Sequence, residues 1–245
     1  MQVVVEVFHS FREPLLEVTG KIEFERKEDA TPVTKWDIAV EKALKERLVQ
    51  HDETVGFSGE ETGQSGSVDR YWVVDPIDGT AGFIRGMDHA TNMAAYIENG
   101  EVVASVIYDF YRNITYTAIR GEGAYRNGER MQVNNNRRDG NQVIYSFTRR
   151  SFASIQEALG VLKMRAVLPL GHAGHSYVLL AEGKIDGIVN LKPETAVHDN
   201  APGMLLCEEA GAEVLPLDEG TGVERRRFIV GSPFVVDTIE RSGLF

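Results

Sequence analysis

The sequence predicts an α/β (α+β) protein whose residues 1–140 form helices and an antiparallel sheet, and whose residues 141–245 alternate short strands with helices. Three observations predict this class. They are a helical periodicity near the N-terminus, β-rich runs joined by an Asn-Gly turn in the middle, and short apolar runs separated by helical segments near the C-terminus. We find no linker, internal repeat or low-complexity tract, so we expect one unit over residues 1–245.

The N-terminal part is expected to begin with two helices. Residues 3–18 are apolar at mixed spacing, with Pro14 inside the segment. The stretch K-W-D-I-A-V-E-K-A-L-K-E-R-L has helical spacing at Trp36, Val40, Ala43, Leu44 and Leu48. Thr34 is placed to cap this helix, with Asp37 three residues later in the manner of a capping box.

The middle of the chain is expected to form a β-meander. Asn99-Gly100 separates two β-rich runs, and both residue types tolerate the positive φ that a two-residue hairpin requires. Further turns are expected around residues 111–113, 121–123 and 127–128. In the C-terminal part V-I-Y-S, R-A-V-L and I-D-G-I-V are expected to be strands, and S-F-A-S-I-Q-E-A-L-G, H-A-G-H-S-Y-V-L-L-A-E and A-P-G-M-L-L-C-E-E-A are expected to be helices.

Charge and composition exclude several classes of function. The net charge of −11 argues against nonspecific nucleic-acid binding and against docking on an anionic membrane. Cys207 is the one cysteine, so no intrachain disulfide forms, and its apolar surroundings predict a buried thiol. We find neither a signal-peptide pattern nor a run of 18 apolar residues. A cytoplasmic protein is expected.

The stretch R-Y-W-V-V-D-P-I-D-G-T is the most informative in the sequence. An apolar strand is expected to end at Asp75, because Pro76 has no N–H to donate to a sheet. Asp78 is expected to cap a helix that begins at Gly79-Thr80, where free N–H groups favour an anion. Two carboxylates this close repel each other unless a proton or a metal intervenes, so the stretch suggests Mg²⁺ and phosphate.

Two further acidic sites also lie at the ends of predicted elements. Glu60 and Glu61 lie in the loop F-S-G-E-E-T, and Asp199 precedes a helix with Pro202 in its first turn. Taken alone, the first pair is equally well explained by solvation and Asp199 by helix capping. The residues by themselves leave both interpretations open.

Longer motifs add a resemblance. G-E-E-T, D-P-I-D-G-T and H-D-N-A-P-G, with V-T-K-W-D at 33–37 and G-E-G-A-Y-R-N-G at 121–128, resemble the inositol monophosphatase superfamily over nearly the whole chain. That superfamily holds Mg²⁺-dependent, lithium-sensitive phosphatases. The resemblance implies a layered α-β-α-β-α sandwich, a small phosphorylated substrate and a homodimer.

The resemblance also implies roles for individual residues. Glu60, Asp75 and the carbonyl of Ile77 match ligands of one Mg²⁺ ion. Asp75, Asp78 and Asp199 match ligands of a second, and Glu60 would touch a third, weaker one. Asp37 and Thr80 match the pair that activates the attacking water, and Glu61 matches an acid near that water. Gly79 and Thr80 match the phosphate-binding residues.

Several departures from the family pattern concern the substrate. His198 stands where the family has an aromatic residue, Gly82 where it has asparagine, and His172, in Gly171-His172-Ala173, where it has threonine or serine. Asn190 aligns with a glutamate that binds inositol hydroxyls. His172, Asn190 and His198 are therefore predicted to contact the substrate.

The departures leave the substrate open. The expected activity is Mg²⁺-dependent hydrolysis of a small polyol or sugar phosphate such as inositol monophosphate. Histidinol phosphate, fructose 1,6-bisphosphate or a 3′-phosphonucleotide are alternatives, and a non-catalytic sensor of a phosphorylated ligand is a further one.

Overall fold

The computed structural model describes residues 1–28, 30–138, 140–170 and 172–245. Within these ranges the α-helices are α1 (Gln2–Val18), α2 (Lys35–His51), α3 (Thr80–Phe83), α4 (Phe152–Val161), α5 (Ala173–Ala181), α6 (Val197–Glu209) and α7 (Pro233–Ser242), and a 3₁₀ turn covers Gly222–Glu224. The strands are β1 (Glu25–Arg26), β2 (Pro32–Val33), β3 (Gly56–Gly59), β4 (Gly63–Ser65), β5 (Arg70–Asp78), β6 (Thr91–Glu98), β7 (Glu101–Asp109), β8 (Ile114–Ile119), β9 (Gly123–Arg126), β10 (Glu129–Arg130), β11 (Val143–Ser146), β12 (Arg165–Val167), β13 (Gly187–Asn190), β14 (Glu213–Pro216) and β15 (Phe228–Gly231).

The strands form two large sheets and one small hairpin. The eight-stranded sheet has the order β10-β9-β8-β7-β6-β5-β3-β4 and is antiparallel except where β3 runs parallel to β5. The five-stranded sheet has the order β12-β11-β13-β15-β14, with β11 parallel to both of its neighbours. Strands β1 and β2 form a separate two-stranded hairpin. The sheets use residues 56–130 and 143–231, and the division of the unit near residue 140 stays a prediction.

Helices cover both faces of each large sheet. Helices α1 and α2 pack on the outer face of the eight-stranded sheet, and α5 and α6 lie between the two sheets. Helices α4 and α7 cover the outer face of the five-stranded sheet. The layers therefore follow the order α-β-α-β-α, which confirms the predicted sandwich. The central apolar cluster joins the two sheets through α5 and α6, with Tyr177, Leu205 and Cys207 fully buried in it.

Most of the predicted elements are present. Helix α2 has Thr34 as its N-cap and a complete capping box with Asp37. Asn99 and Gly100 both have positive φ and join β6 to β7. Pro14 lies inside α1 without ending it. No helix in the described part of the chain is long and apolar enough to span a membrane.

The prediction that the central strand ends at Asp75 is wrong. Strand β5 continues to Asp78, which pairs with Thr91, and a bulge interrupts the register between Asp75 and Asp78. The bulge accommodates Pro76, since a residue displaced from the ladder needs no N–H partner there. The Pro76 carbonyl instead accepts a hydrogen bond from the buried Asn92 amide. The bulge therefore lies between the two carboxylates of this strand, those of Asp75 and Asp78.

The predicted starts of two helices also differ from the structure. Gly79, with φ of +89°, is the N-cap of α3, and Asp78 is not. Helix α6 begins at Val197, so Asp199 lies inside its first turn and Pro202 follows in the second. Pro202 has no N–H for the carbonyl of His198, four residues earlier, so the helix lacks one backbone hydrogen bond at this point.

Candidate active site

Asp37 joins the start of α2 to the start of α3. Its Oδ2 accepts hydrogen bonds from the Thr34 amide over 2.8 Å and from the Thr34 hydroxyl over 2.6 Å. Its Oδ1 lies 3.2 Å from the Thr80 hydroxyl, which donates to it. One carboxylate therefore both caps a helix and contacts Thr80, as the sequence allowed. Burial raises the pKa of Asp37 despite these hydrogen bonds.

Thr80 is held from a second side. Its hydroxyl also lies 2.9 Å from the carbonyl oxygen of Ile77, the atom that was predicted as a metal ligand. A hydroxyl group has one proton, so it donates a well-aligned hydrogen bond to one acceptor at a time. A cation on the Ile77 carbonyl would therefore leave the Thr80 proton to Asp37.

Asp75 is the most strongly perturbed acid of the site. It is buried, and its Oδ1 has no hydrogen-bond partner. Burial raises its pKa well above the ordinary value, and the charges of Glu60, Asp78 and Asp199 raise it further. A buried carboxylate without a partner is costly, so this position requires either a proton or a cation.

Asp78 is the last residue of β5, and its carboxylate contacts the start of α5. Its Oδ1 accepts from the Ala173 amide over 3.0 Å, and its Oδ2 accepts from the Gly174 amide over 2.8 Å. These two N–H groups at the helix N-terminus stabilise the ionised carboxylate. Burial outweighs them and raises the pKa of Asp78 to about 7. The carboxylate is therefore close to being half protonated at neutral pH.

Asp199 completes the acidic group from the far end of the chain. Its Oδ2 accepts from the Ala196 amide over 3.2 Å, which fixes it at the first turn of α6. Its Oδ1 lies 3.8 Å from Nε2 of His198. His198 is not among the residues that line the adjoining cavity. The structure thus places it beside Asp199, and its contact with the substrate stays a prediction.

Lys27 forms ion pairs with both glutamates of the loop after β3. Its ammonium nitrogen lies 2.6 Å from Oε1 of Glu60 and 2.6 Å from Oε1 of Glu61. Burial raises the pKa of Glu61, whereas the two carboxylates together raise that of Lys27. A metal ion at Glu60 would compete with this ammonium group.

The acidic side chains fit a hard divalent cation. Asp75 supplies an unpartnered buried oxygen, and the raised pKa values of Asp75 and Asp78 show charge in need of compensation. Among the described residues, no three His, Cys, Asp or Glu side chains already converge closely enough to enclose an ion. Mg²⁺ suits such an incomplete set, because it usually keeps water and substrate oxygens as its remaining ligands.

A cavity of about 200 Å³ opens beside the acids. Asp78 and Asp199 line one end, and the ring of His172 lies along its wall. His172 is buried, and neither of its ring nitrogens has a hydrogen-bond partner. Burial lowers its pKa to about 4, so the ring is neutral at physiological pH. The adjoining Gly171 lies outside the described residues.

A family model of the inositol monophosphatase family matches residues 2–241. The chain belongs to this family. A protein of Xylella fastidiosa named Nus factor SuhB is 33% identical over 84% of the chain and 78% of its own length. An inositol-1-monophosphatase of Rhizobium meliloti is 30% identical over 73% of the chain and 70% of its own length.

Solved structures agree with the family in fold. An extragenic suppressor protein suhB from Bartonella henselae covers 99% of the chain, with 97% of its own length matched, at a TM-score of 0.86 and 26% identity. An IMPase from Thermotoga maritima covers 97%, with 93% of its own length matched, at 0.85 and 25%. The inositol monophosphatase family is a family of metal-dependent phosphatases that generally use Mg²⁺, which agrees with the acidic site.

Asn190 is predicted to contact the substrate. In the structure its side-chain amide is hydrogen-bonded to neighbouring parts of the protein. Its Nδ2 donates to the Thr195 hydroxyl over 2.8 Å and to the Arg226 carbonyl over 2.9 Å. Its Oδ1 accepts from the Lys192 amide over 3.2 Å. Both amide protons are used within the loop, whereas Oδ1 keeps a second lone pair that can accept from a hydroxyl. Asn190 also lines the cavity, and its contact with the substrate stays a prediction.

Sequence reasoning missed Glu41, which holds the glutamate loop in place. Glu41 is buried on α2, and its carboxylate accepts from the Glu61 amide over 3.0 Å and from the Thr62 amide over 2.8 Å. An acid on the same helix face as the apolar Leu44 and Leu48 was the available signal. Lys27 had no such signal, because its contacts are with residues far along the chain.

His89, which had been given no role, joins His172 and His175. The rings of His89 and His172 stack with centroids 5.9 Å apart, and His89 meets the ring of His175 edge-on at 5.0 Å. Burial and the neighbouring rings lower the pKa of His175 as well as that of His172. The arrangement is one of aromatic packing, in which His89 contacts both of the other rings.

Proposed function

We propose that this protein is a Mg²⁺-dependent phosphomonoesterase that hydrolyses a small phosphorylated substrate by attack of an activated water. The observation that carries the proposal is the buried, unpartnered Oδ1 of Asp75 among Glu60, Asp78 and Asp199. Such a group is stable at neutral pH only with a proton or a compensating cation. A bound divalent cation supplies the charge that hydrolysis of a phosphate monoester needs.

The metal roles are those that the resemblance to the family implies. Glu60, Asp75 and the Ile77 carbonyl would hold one ion, and Asp75, Asp78 and Asp199 would hold a second, with Asp75 bridging. Bound Mg²⁺ supplies charge for the phosphate oxygens, lowers the pKa of a coordinated water and stabilises the leaving alkoxide. Helix α3 has only four residues, so its dipole adds little and most of the phosphate charge falls to the cations.

Asp37 and Thr80 would activate the water. When the Thr80 hydroxyl donates its proton to Asp37, its lone pairs can accept a hydrogen bond from the attacking water. That hydrogen bond would orient the water. The raised pKa of Asp37 brings this carboxylate closer to the range in which a base can take a proton on to itself. Glu61, held by Lys27, would lie near the same water and tune it electrostatically.

The test is phosphate release with and without Mg²⁺ from a panel of substrates. The panel holds inositol 1-phosphate, fructose 1,6-bisphosphate, histidinol phosphate, 3′-phosphoadenosine 5′-phosphate and glycerol 2-phosphate. We expect Mg²⁺-dependent turnover of at least one of them, and complete loss of turnover in Asp75→Asn. Asp69→Asn, an exposed aspartate before β5, is the matched control and should keep full activity. Turnover by a folded Asp75→Asn variant would refute the bridging role.

The same experiment separates catalysis from mere recognition. A sensor would bind Mg²⁺ and phosphate without releasing product from any member of the panel. We also propose a homodimer, which the resemblance to the family implies. Light scattering coupled to gel filtration tests it, and a monomer at micromolar concentration would contradict it.

A further inference from the structure

The cavity beside the acids is lined by charges of both signs. Asp78 and Asp199 line it, and so do Arg149 and Lys192. A second cavity of about 630 Å³ shares Phe147, Arg149 and Lys192 with the first and adds Arg150. The two cavities therefore adjoin each other at Phe147, Arg149 and Lys192, and two of these three side chains are cationic.

These cations have no carboxylate partner. Within the described ranges, Arg126, Arg137 and Arg225 each lie within 4 Å of an acid, at 2.9, 2.8 and 3.9 Å. The side chains of Arg149, Arg150 and Lys192 form no such ion pair there, and Glu194 is the one acid that lines the outer cavity. In a chain of net charge −11, a cluster of unpaired cations beside the proposed phosphate site is a local reversal of charge.

The backbone fixes the two loops that carry the cations. Strands β11 and β13 are parallel neighbours, with Ser146 opposite Val189, so both loops leave the same edge of the sheet. The Phe147 amide donates to the Val189 carbonyl over 2.9 Å, and the Leu191 amide donates to the Thr148 hydroxyl over 2.8 Å. Ligands of α/β sheets bind at this carboxyl edge.

The loop after β13 is braced from within. Asn190 accepts from the Lys192 amide over 3.2 Å, and the Thr195 hydroxyl donates to the Lys192 carbonyl over 2.9 Å. The Arg149 carbonyl accepts from the Phe152 amide at the start of α4. The backbones of Arg149 and Lys192 are therefore held, while their exposed side chains are left to a ligand.

We propose that the substrate carries a second anionic group, a phosphate or a carboxylate, which Arg149 and Lys192 bind while the ester phosphate lies at Asp75, Asp78 and Asp199. This inference rests on the proposed function. Neither cation belongs to a motif that carries the family resemblance. A substrate with a cationic far end, such as histidinol phosphate, is disfavoured by the same two charges.

Binding of phosphonates tests the proposal without turnover, because their C–P bond is not hydrolysed by a phosphomonoesterase. The probes are butylphosphonate, 4-phosphonobutanoate and butane-1,4-bisphosphonate, titrated calorimetrically into the protein with Mg²⁺. We expect 4-phosphonobutanoate or butane-1,4-bisphosphonate, which carry an anionic group at each end, to bind about tenfold more tightly than butylphosphonate. The difference in affinity should narrow as the salt concentration rises. The carboxylate and bisphosphonate arms distinguish the two kinds of second anion.

Variants assign the effect to the loops. Arg149→Gln and Lys192→Met should each reduce the ratio of bisphosphonate to butylphosphonate affinity roughly fivefold or more. Arg165→Gln, which removes an exposed charge on β12 outside both cavities, is the matched control and should leave the ratio unchanged. Thermal unfolding checks that all three variants are folded.

The outcomes separate this inference from the proposed function. Mg²⁺-dependent turnover together with equal affinity for all three phosphonates would overturn the second-anion subsite and leave the phosphatase standing. Tighter bisphosphonate binding that depends on Arg149 and Lys192, without turnover of any phosphate, would support the subsite and overturn catalysis. Unchanged ratios in both variants would likewise overturn the subsite.

Discussion

The ring of His172 occupies the space that glycine leaves at position 82. A Cβ at residue 82 would lie 2.6 Å from Cε1 of His172, and one at Gly79 would lie 2.0 Å from its Nδ1. Real Cβ atoms do not approach other atoms so closely. The two departures from the family pattern at residues 82 and 172 are therefore one feature, in which a ring has replaced a polar side chain from the opposite wall.

This relationship predicts non-additive stability. Gly82→Asn alone should lower the free energy of unfolding by about 1–3 kcal/mol, because the new side chain meets the ring. Combining it with His172→Thr should recover part of that loss, with a coupling of about 1 kcal/mol or more. Urea denaturation of the wild type, both single variants and the double variant measures the coupling. Additive changes would show that the two positions are independent.

The contact between Thr80 and Asp37 predicts a requirement for a hydroxyl. Thr80→Ser keeps the oxygen and should retain activity within about tenfold. Thr80→Val keeps the shape but removes the donor and acceptor, and should lower kcat by roughly 10²–10⁴-fold. Phosphate release with Mg²⁺ measures both. Stability should change little, since Asp37 keeps its two hydrogen bonds from Thr34. Equal activity of the serine and valine variants would remove Thr80 from the mechanism.

The raised carboxyl pKa values predict how the metal-free protein responds to pH. Asp75 and Asp78 have folded pKa values above their unfolded values, so the folded state binds more protons and loses stability as pH rises. His172 and His175 have lowered pKa values and act in the opposite direction, but only below about pH 6.5. From about pH 6.5 to pH 8 the carboxylates act without opposition from these histidines, and the Met1 amino group, whose pKa burial lowers, is the group that opposes them there.

Urea unfolding in EDTA measures this response. We expect the free energy of unfolding to fall by about 1 kcal/mol or more between about pH 6.5 and pH 8, and Mg²⁺ to abolish the fall. In Asp78→Asn, the metal-free slope should be shallower because one titrating carboxylate is gone. A metal-free stability that rises across this window would contradict the raised pKa values.

Glu41 is predicted to position the glutamate loop. Glu41→Ala should leave the Glu61 and Thr62 amides without their buried acceptor, lowering the free energy of unfolding by about 2–4 kcal/mol. The Mg²⁺ concentration for half-maximal activity should also rise, because Glu60 is carried by the same loop. Glu46→Ala, an exposed glutamate on the same helix, is the control. A purely structural role would lower stability while leaving the Mg²⁺ dependence unchanged.

Local signals in the sequence were sufficient for the elements and for most of the acids. The capping box of α2, the Asn99-Gly100 hairpin and the helical spacing of α2 depend on neighbours in the chain, and all are present. The bulge after Asp75 was missed because it depends on Asn92 in the adjacent strand, which accommodates Pro76. The rule that proline ends a strand considers that strand alone, and it takes no account of hydrogen bonds from the neighbouring strand.

The cavity wall was less predictable than the acids. Asn190 has the residue type expected of a substrate contact, yet its protons are used by Thr195 and Arg226. Lys27 and His89 gain their neighbours through long-range packing, which no spacing rule describes. Residue type predicts what a side chain is able to do, whereas its remaining hydrogen-bonding capacity depends on the folded environment.

The order in which the acids occur along the chain has a consequence for biosynthesis. Asp37, Glu60 and the β5 carboxylates leave the ribosome well before Asp199, which follows Asp78 by more than a hundred residues. The nascent chain therefore exposes an acidic cluster lacking its last member until α6 docks between the two sheets. Since such non-local contacts form late in folding, a metal ion that needs Asp199 binds only the finished fold. On the proposed assignment of Asp199 as a metal ligand, occupancy of the site would therefore report that the chain has finished folding.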